Sequence, residues 1–156
     1  MIKLRIAIAL IMISLMTFSC HRGFLFESTV SLPAEGWTTE GFVAFEVMVD
    51  DTIGNYSIDL YIRNDGRYAY SNLFLFINTL APTGAQIRDT IECTLADRSG
   101  KWLGRGIGSQ YSIEIPYKYR VSFPYKGIYR FEIEQGMRQN PLLHITDVGI
   151  SIKAGE

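Results

Sequence analysis

Cys20 carries the most specific chemistry in this chain. It follows Thr-Phe-Ser at residues 17–19, a segment similar to a lipobox, in which a small residue precedes a cysteine whose thiol takes a diacylglycerol. Lys3 and Arg5 precede an apolar run over residues 6–18. That run has the charged-then-apolar form of a secretion signal and is shorter than the roughly 20 residues that a membrane-spanning helix needs. We therefore expect export followed by lipidation.

Cleavage before Cys20 would remove residues 1–19 as a signal peptide. Two acyl chains on the cysteine would then give stable membrane attachment, where one chain would be marginal. The alternative is an ordinary signal peptide cut beside an incidental cysteine, because Thr17 stands where a branched aliphatic residue is usual and Phe18 where a small one is usual. The lipidated form predicts a protein that is anchored to a membrane and does not span it.

Few residues are suited to catalysis. His21 and His144 are the two histidines, so a His-rich metal site cannot be assembled, and the chain has no G-x-S-x-G nucleophile elbow. Glu132 and Glu134 lie two apart on the outward side of a predicted strand, about 7 Å from one another. That spacing is compatible with glycoside hydrolysis, although exposed strand acids commonly only solvate a sheet. We predict no catalytic residue, no metal and no cofactor, and that the protein is not an enzyme.

Two further features look reactive but lack the necessary context. Gly104, Gly106 and Gly108 alternate as in a nucleotide loop, yet that loop must run directly into a helix, and residues 111–115 alternate as a strand. The glycines instead leave one side of the segment without side chains, so that another backbone can approach closely. Cys93 has no disulfide partner if the other cysteine carries lipid, and we expect it to be a small buried hydrophobe.

Short segments with period-two alternation must position these residues. The predicted strands cover residues 42–49, 56–63, 73–77, 87–95, 111–115, 119–123, 127–134 and 148–153. Asp89 is the one misfit on the inward side of its strand, and the unbroken apolar run at 73–77 predicts burial on both faces. All five prolines fall between the predicted strands, as the lack of an N–H favours. Only residues 134–143 leave room for a short helix.

This pattern predicts one all-β domain. Eight or nine short strands with turns at such spacing favour an antiparallel β-sandwich, of jelly-roll or immunoglobulin-like form. We place the signal peptide at residues 1–19, a tether at residues 20–28 and the sandwich at residues 29–156. The net charge of −1 becomes more negative once the signal peptide is removed, and the basic residues do not cluster. A nucleic-acid partner, which needs a basic patch, is therefore not expected.

Several segments resemble the GldH family of gliding-motility lipoproteins. The central match is D-T-I-E at residues 89–92, L-A-D at 95–97 and G-K-W-L-G-R-G at 100–106. Matching segments flank it in the same order at residues 56–63, 72–76, 135–138 and 147–152. The resemblance implies a non-enzymatic lipoprotein that serves assembly or stability of the gliding and type IX secretion apparatus by contacting other envelope lipoproteins. It also implies the outer membrane. Lipoproteins of this bacterial group that are exported to the cell surface carry an acidic run just after the lipidated cysteine. Residues 21–23 contain no acidic residue, which favours a domain that faces the periplasm.

The predicted partner surface is a turn in which polar residues bracket a bulky aromatic one. It comprises Asp97, Gly100, Trp102 and Gly104, together with Gln135, Met137 and Arg138. A turn does not need a tryptophan in order to fold, which motivates this hypothesis. The alternative is that Trp102 caps the hydrophobic core.

A carbohydrate-binding jelly roll is the alternative function. Aromatic residues that could stack on a sugar are Trp37, Tyr68, Tyr70, Trp102, Tyr117 and Tyr125, although the same residues could pack in the core or at its rim. Two D-T-I triplets contain Thr52 and Thr90 and resemble a short acceptor motif for O-linked glycans. Thr52 is the predicted acceptor, because it lies in a loop and Thr90 lies within a strand.

Overall fold

The computed structural model describes residues 23–155, and this range forms nine β-strands and no helix. The strands are β1 Phe24–Ser31, β2 Phe42–Val49, β3 Tyr56–Asp65, β4 Asn72–Leu80, β5 Gln86–Thr94, β6 Arg105–Ile107, β7 Gln110–Val121, β8 Gly127–Gln135 and β9 Ile145–Ala154. The all-β prediction is confirmed. The signal peptide and Cys20 lie outside the described residues.

The strands form two antiparallel sheets that pack as a sandwich. One sheet has the order β1-β9-β3-β7-β6 and the other the order β2-β8-β4-β5. Apart from the β4–β5 and β6–β7 hairpins, every connection crosses from one sheet to the other. Two interleaved four-stranded sheets of this kind, with β6 added at an edge, form a jelly roll. The strand order therefore decides between the two sandwich forms that the sequence left open.

The core lies between the inward faces of the two sheets. Burial alternates along β2, β3 and β8 as the sequence pattern predicts, and the most enclosed side chains include Val49, Leu60, Leu75, Ile133 and Ile150. Each such side chain contributes roughly 1.5–3 kcal/mol by leaving water. Hydrophobic burial of this kind holds the two sheets together.

The sandwich has two ends that differ in character. One end holds Gly23, Gly155 and the β2–β3, β4–β5 and β7–β8 connections. There the Ala154 amide donates to the Gly23 carbonyl (2.7 Å), and the Gly155 amide donates to the Asn55 carbonyl (2.6 Å). We call this the terminal end. The connections at residues 32–41, 66–71, 95–104 and 136–144 lie at the other, which we call the loop end. Strands of eight to ten residues separate the two ends by roughly 30 Å.

The boundary predicted between tether and domain is wrong in part. Residues 24–28, assigned to the tether, belong to β1, which pairs with β9 from Phe24↔Lys153 to Ser31↔Asp147. Strict alternation is absent from β1, so its hydrogen bonds to β9 define it rather than a buried face. Gly149 permits this approach, because a Cβ there would lie 2.7 Å from the Ser28 carbonyl oxygen.

Three smaller expectations also fail. Leu73, Leu75 and Ile77 are buried, but Phe74 is 37% exposed, so β4 is covered on one face and not on both. Pro116 lies inside β7 instead of between strands. Because β6 pairs only with Gln110–Ser112, the edge of β7 is open at Pro116 and its missing N–H costs no ladder bond. Residues 136–144 form a loop instead of the short helix that the sequence allowed.

Candidate functional site

Asp97 organises the turn that the sequence singled out. Its carboxylate accepts hydrogen bonds from the Ser99 hydroxyl (2.7 Å), the Ser99 amide (2.8 Å) and the Lys101 amide (3.0 Å). The Ser99 hydroxyl bond, followed by the Lys101 amide bond, lowers the pKa of Asp97 below its ordinary value. Gly100 has φ +83°, which favours glycine. Both residues therefore build the turn, and neither offers a free side chain to a partner.

Trp102 is half-buried in a row of aromatic rings. Its ring centroid lies 5.8 Å from that of Tyr111 and 6.4 Å from that of Tyr68, and Tyr68 lies 5.6 Å from Tyr70. It also packs against the edge of the buried core. This position favours the core-capping alternative for Trp102.

The Gln135 segment divides in the same way between structural and exposed residues. Gln135 is 2% exposed. Its side-chain nitrogen donates to the Gln139 backbone carbonyl (3.1 Å), and its side-chain oxygen accepts from the Met137 backbone amide (2.7 Å). The Met137 sulfur lies 3.3 Å from the Phe74 amide nitrogen. Arg138 is exposed and remains available for contact.

The fold brings both predicted groups to the loop end. The Tyr70 hydroxyl donates to the side-chain oxygen of Gln139 (3.2 Å), which joins the aromatic row to the segment after β8. Tyr70, Phe74 and Leu103 are 38%, 37% and 51% exposed. These three residues and Arg138 are what we call the loop-end surface, in which Leu103 lies beside Tyr61 and Ser112 on the side of the five-stranded sheet and Phe74 lies on the side of the four-stranded sheet. Sequence reasoning missed Phe74 and Leu103, because the unbroken apolar run of residues 73–77 has no alternation that would mark Phe74 as outward.

The glycine prediction is confirmed in its structural form. A Cβ at Gly104 would lie 2.8 Å from the Ser112 carbonyl oxygen, and one at Gly106 would lie 2.7 Å from the Tyr111 ring. Gly108 has φ +65° and begins the two-residue turn between β6 and β7. The glycines therefore serve close strand pairing in a hairpin.

The carboxylates considered for catalysis are engaged in ion pairs. Glu134 accepts from Arg88 at 2.8 Å, and Glu132 accepts from Arg130 at 2.9 Å and from Asn78 at 3.1 Å. Over residues 23–155, no group of three or more His, Cys, Asp or Glu side chains is placed to hold a metal ion. Cys93 is fully buried, and burial raises the pKa of its thiol to about 12.

The six aromatic residues considered for sugar stacking do not form one platform. Trp37 and Tyr68 are buried, and the Tyr117 hydroxyl donates to Asp89 at 2.6 Å. Tyr70 and Tyr125 are exposed, but they lie at opposite ends of the sandwich. This arrangement does not favour the carbohydrate-binding alternative.

The two possible modification sites have different standing. Thr52 lies in the loop between β2 and β3, and Thr90 lies within β5, as predicted. Whether Thr52 carries a glycan stays a prediction. The lipidation site Cys20 precedes the described range. Among residues 23–155 there is no helix whose length and apolar character would let it cross a membrane.

The fold of residues 23–155 defines a class, the small jelly-roll domains. Residues 25–152 match the family model described as GldH lipoprotein. The chain is 34% identical over 145 residues to a protein of Christiangramia forsetii named gliding motility lipoprotein GldH homolog, with 88% of each chain covered. It is 29% identical to the gliding motility lipoprotein GldH of Flavobacterium johnsoniae, with 92% of this chain and 93% of that one covered.

The chain belongs to the GldH lipoprotein family, and it is a membrane-anchored lipoprotein. Among solved structures, Pseudomonas aeruginosa AlgX resembles it with a TM-score of 0.45 and 17% identity. That likeness covers 88% of this chain but only 27% of AlgX. It is too weak to bear on function.

Proposed function

We propose that this lipoprotein is a non-enzymatic component that serves assembly or stability of the gliding-motility and type IX secretion machinery. In this account it binds other envelope components through the loop-end surface. The observation that supports the proposal most directly is the position of that surface, about one strand length from the chain terminus that leads to Cys20. A surface so placed can lie up to one strand length from the anchoring membrane, where it is open to a neighbour.

The chemistry of the loop-end surface suits protein contact. Tyr70, Phe74 and Leu103 are exposed groups on a rigid frame, and Arg138, which is exposed at the same end of the sandwich, can form charged hydrogen bonds. Aromatic side chains and arginine are enriched in the energetically important parts of interfaces. The ordered turn beneath them, held by Asp97, lowers the entropy that binding would cost.

We further propose that the anchor is lipid on Cys20 and that it lies in the outer membrane, with the domain in the periplasm. Residues 21–23 are His-Arg-Gly and contain no acidic run, which supports the periplasmic side. Membrane fractionation with protease protection on intact cells tests this placement. Digestion of the domain in intact cells would contradict it.

The partner hypothesis is tested by affinity isolation of the lipidated full-length protein from native envelope. Leu103→Ser should reduce recovery of secretion or gliding components, because it removes an exposed apolar group from the loop-end surface. Met48→Ser is the matched control, since Met48 is 54% exposed and lies on the outer face of β2. Equal recovery with both variants would count against this surface.

Trp102→Ala separates the two roles considered for that tryptophan. Because Trp102 packs against Tyr68 and Tyr111, we expect a lower melting temperature and a free energy of unfolding that is smaller by about 3 kcal/mol. Partner recovery per folded molecule should fall less than it does for Leu103→Ser. A variant with unchanged stability and no partner recovery would instead make Trp102 the contact residue.

A further inference from the structure

The terminal end carries exposed apolar and cationic side chains that folding does not require. Ile53 in the β2–β3 loop is 91% exposed, Tyr119 in β7 is 78% exposed and Tyr125 in the β7–β8 connection is 48% exposed. Arg120 and Lys126 are exposed beside them. These five residues form what we call the terminal-end patch.

The local backbone holds two of these side chains outward. The Asp51 carboxylate accepts from the amides of Ile53 (2.9 Å) and Gly54 (3.2 Å), which fixes the loop that presents Ile53. In β7 the register with β3 shifts between Val121 and Lys118. This bulge leaves Arg120 at φ +53°, in the left-handed region. A non-glycine residue in this region carries a strain that tends to occur where a surface has a function.

The three apolar side chains belong to one end because their segments touch. The ring of Tyr56, whose hydroxyl donates to the Asp51 carbonyl, lies 5.3 Å from that of Phe123. The Tyr125 amide donates to the Tyr129 hydroxyl at 3.1 Å. A largely apolar cavity of about 230 Å³ lies beside Tyr125, between the connections at residues 81–85 and 122–126.

The basic and tyrosine side chains at this end suit a phospholipid headgroup layer. Among residues 23–155, Arg120 and Lys126 have no carboxylate within ion-pair distance. Two exposed acidic residues, Asp50 and Asp51, lie at the same end. The Asp51 carboxylate accepts from the amides of its own loop, and Lys126 is near enough to contribute to the lowering of its pKa. Tyrosine is enriched at membrane interfaces, where its ring meets the apolar layer and its hydroxyl meets water. Basic residues near an anionic lipid surface are attracted to it, and the attraction falls off within a Debye length.

The chain length to the anchor limits how far this end can lie from a bilayer. Only three residue steps separate Cys20 from Gly23, and a fully extended chain spans at most about 3.6 Å per residue. The end of the sandwich therefore lies within about 11 Å of the lipidated residue. The β1 terminus and the terminal-end patch share that end.

We propose that the terminal-end patch docks on the phospholipid bilayer that holds the anchor, with Ile53, Tyr119 and Tyr125 in the interfacial layer and Arg120 and Lys126 at the headgroups. This inference rests on the proposed lipidation of Cys20. Docking at this end would hold the sandwich upright and present the loop-end surface roughly 30 Å above the bilayer.

Tryptophan quenching in vesicles tests the docking. Both native tryptophans, Trp37 and Trp102, lie at the loop end. The emission that a variant adds to that of the parent protein therefore comes from a tryptophan at the terminal end. Lipidated full-length Tyr119→Trp and Tyr125→Trp proteins are reconstituted in phosphatidylcholine and phosphatidylglycerol vesicles, with or without brominated acyl chains. We expect brominated lipid to remove most of the added emission and to leave the parent emission unchanged. Melting temperatures near that of the parent protein confirm that the variants are folded.

Leu103→Trp is the matched control, because Leu103 is exposed at the loop end. Suppose that the protein floats with the vesicles but that the two terminal-end variants are quenched no more than Leu103→Trp. This result would overturn the docking and leave the anchor intact. Protein that does not float would contradict the anchor itself, and with it both proposals. Arg120→Gln with Lys126→Gln should weaken the Tyr125→Trp quenching in anionic vesicles and not in pure phosphatidylcholine. Unchanged quenching in both lipids would overturn the role of the cations.

Discussion

At the scale of single residues, Asp89 connects the two sheets where their edges stack. It lies on the inward side of β5, and its carboxylate accepts from the Tyr117 hydroxyl at 2.6 Å and from the Lys118 ammonium at 2.7 Å, both on β7. The residue that disturbs the alternation of β5 therefore forms the polar link between β5 and β7. The hydrogen bond from Lys118, then that from Tyr117, lowers the pKa of Asp89 below 3.8.

Asp89→Asn should lower the free energy of unfolding by about 1–2 kcal/mol at neutral pH, because it removes a charged hydrogen-bond acceptor that is partly exposed. The folded-state pKa lies below the unfolded value, so this stabilisation is present above about pH 4 and is lost as the pH falls through the folded-state pKa. Urea unfolding of both proteins between pH 7 and pH 2.5 measures the difference. If the difference in free energy of unfolding between the two proteins instead grew as the pH falls, the stabilising role assigned to the Asp89 carboxylate would be contradicted.

Cys93 should be inert in the folded protein. It is fully buried, and burial raises its pKa to about 12, so almost no thiolate forms at neutral pH. A thiol reagent should therefore modify it only at the rate of unfolding and rapidly in denaturant. Fast modification under native conditions would show that the core around β5 opens locally.

At the scale of elements, the pairing of β1 with β9 determines where the domain begins. Gly149→Ala would place a Cβ 2.6 Å from Thr29 and 2.7 Å from the Ser28 carbonyl oxygen. We expect the free energy of unfolding to fall by about 1–3 kcal/mol and the amide hydrogens of β1 to exchange faster. Gly66→Ala is the control, because its Cβ would meet the Tyr111 ring at an ordinary 3.4 Å. Equal effects of the two variants would contradict the close approach of β1.

The elements that could be predicted are those whose burial alternates. β3 follows its sequence pattern over residues 56–63, because one face of it lies on the core. β1 could not be predicted in this way, since its backbone partner lies more than a hundred residues away on β9. Pro116 could not be placed either, because its tolerance depends on how little of β7 the short strand β6 covers.

The candidate site was predictable in position and not in detail. Gly-rich turn chemistry placed Trp102 at a chain reversal, and the fold connects it to the segment after β8 through Tyr68 and Tyr70. The residue types of Asp97 and Gln135 could not reveal that their side chains are consumed by neighbouring backbone groups. Exposure of Leu103 depends on which side of the turn Trp102 occupies, and that follows from its packing on Tyr68 and Tyr111.

At the scale of the whole molecule, the two ends of the sandwich divide two tasks. The terminal end lies beside the segment that leads to the anchor, and the loop end carries exposed Tyr70, Phe74 and Leu103 roughly 30 Å away. A rigid antiparallel sandwich with a buried core keeps this separation. The proposed role in assembly depends on the orientation that follows, with contacts made at one end and attachment at the other.

Site-specific photocrosslinking in the native envelope tests this division most directly. A photoreactive residue is placed at position 103 or 138 of the loop-end surface, or at position 48 on the outer face of β2, in the full-length lipidated protein. We expect adducts with gliding or secretion components from positions 103 and 138, and none from position 48. Adducts of equal yield from all three positions, or from position 48 alone, would contradict this division.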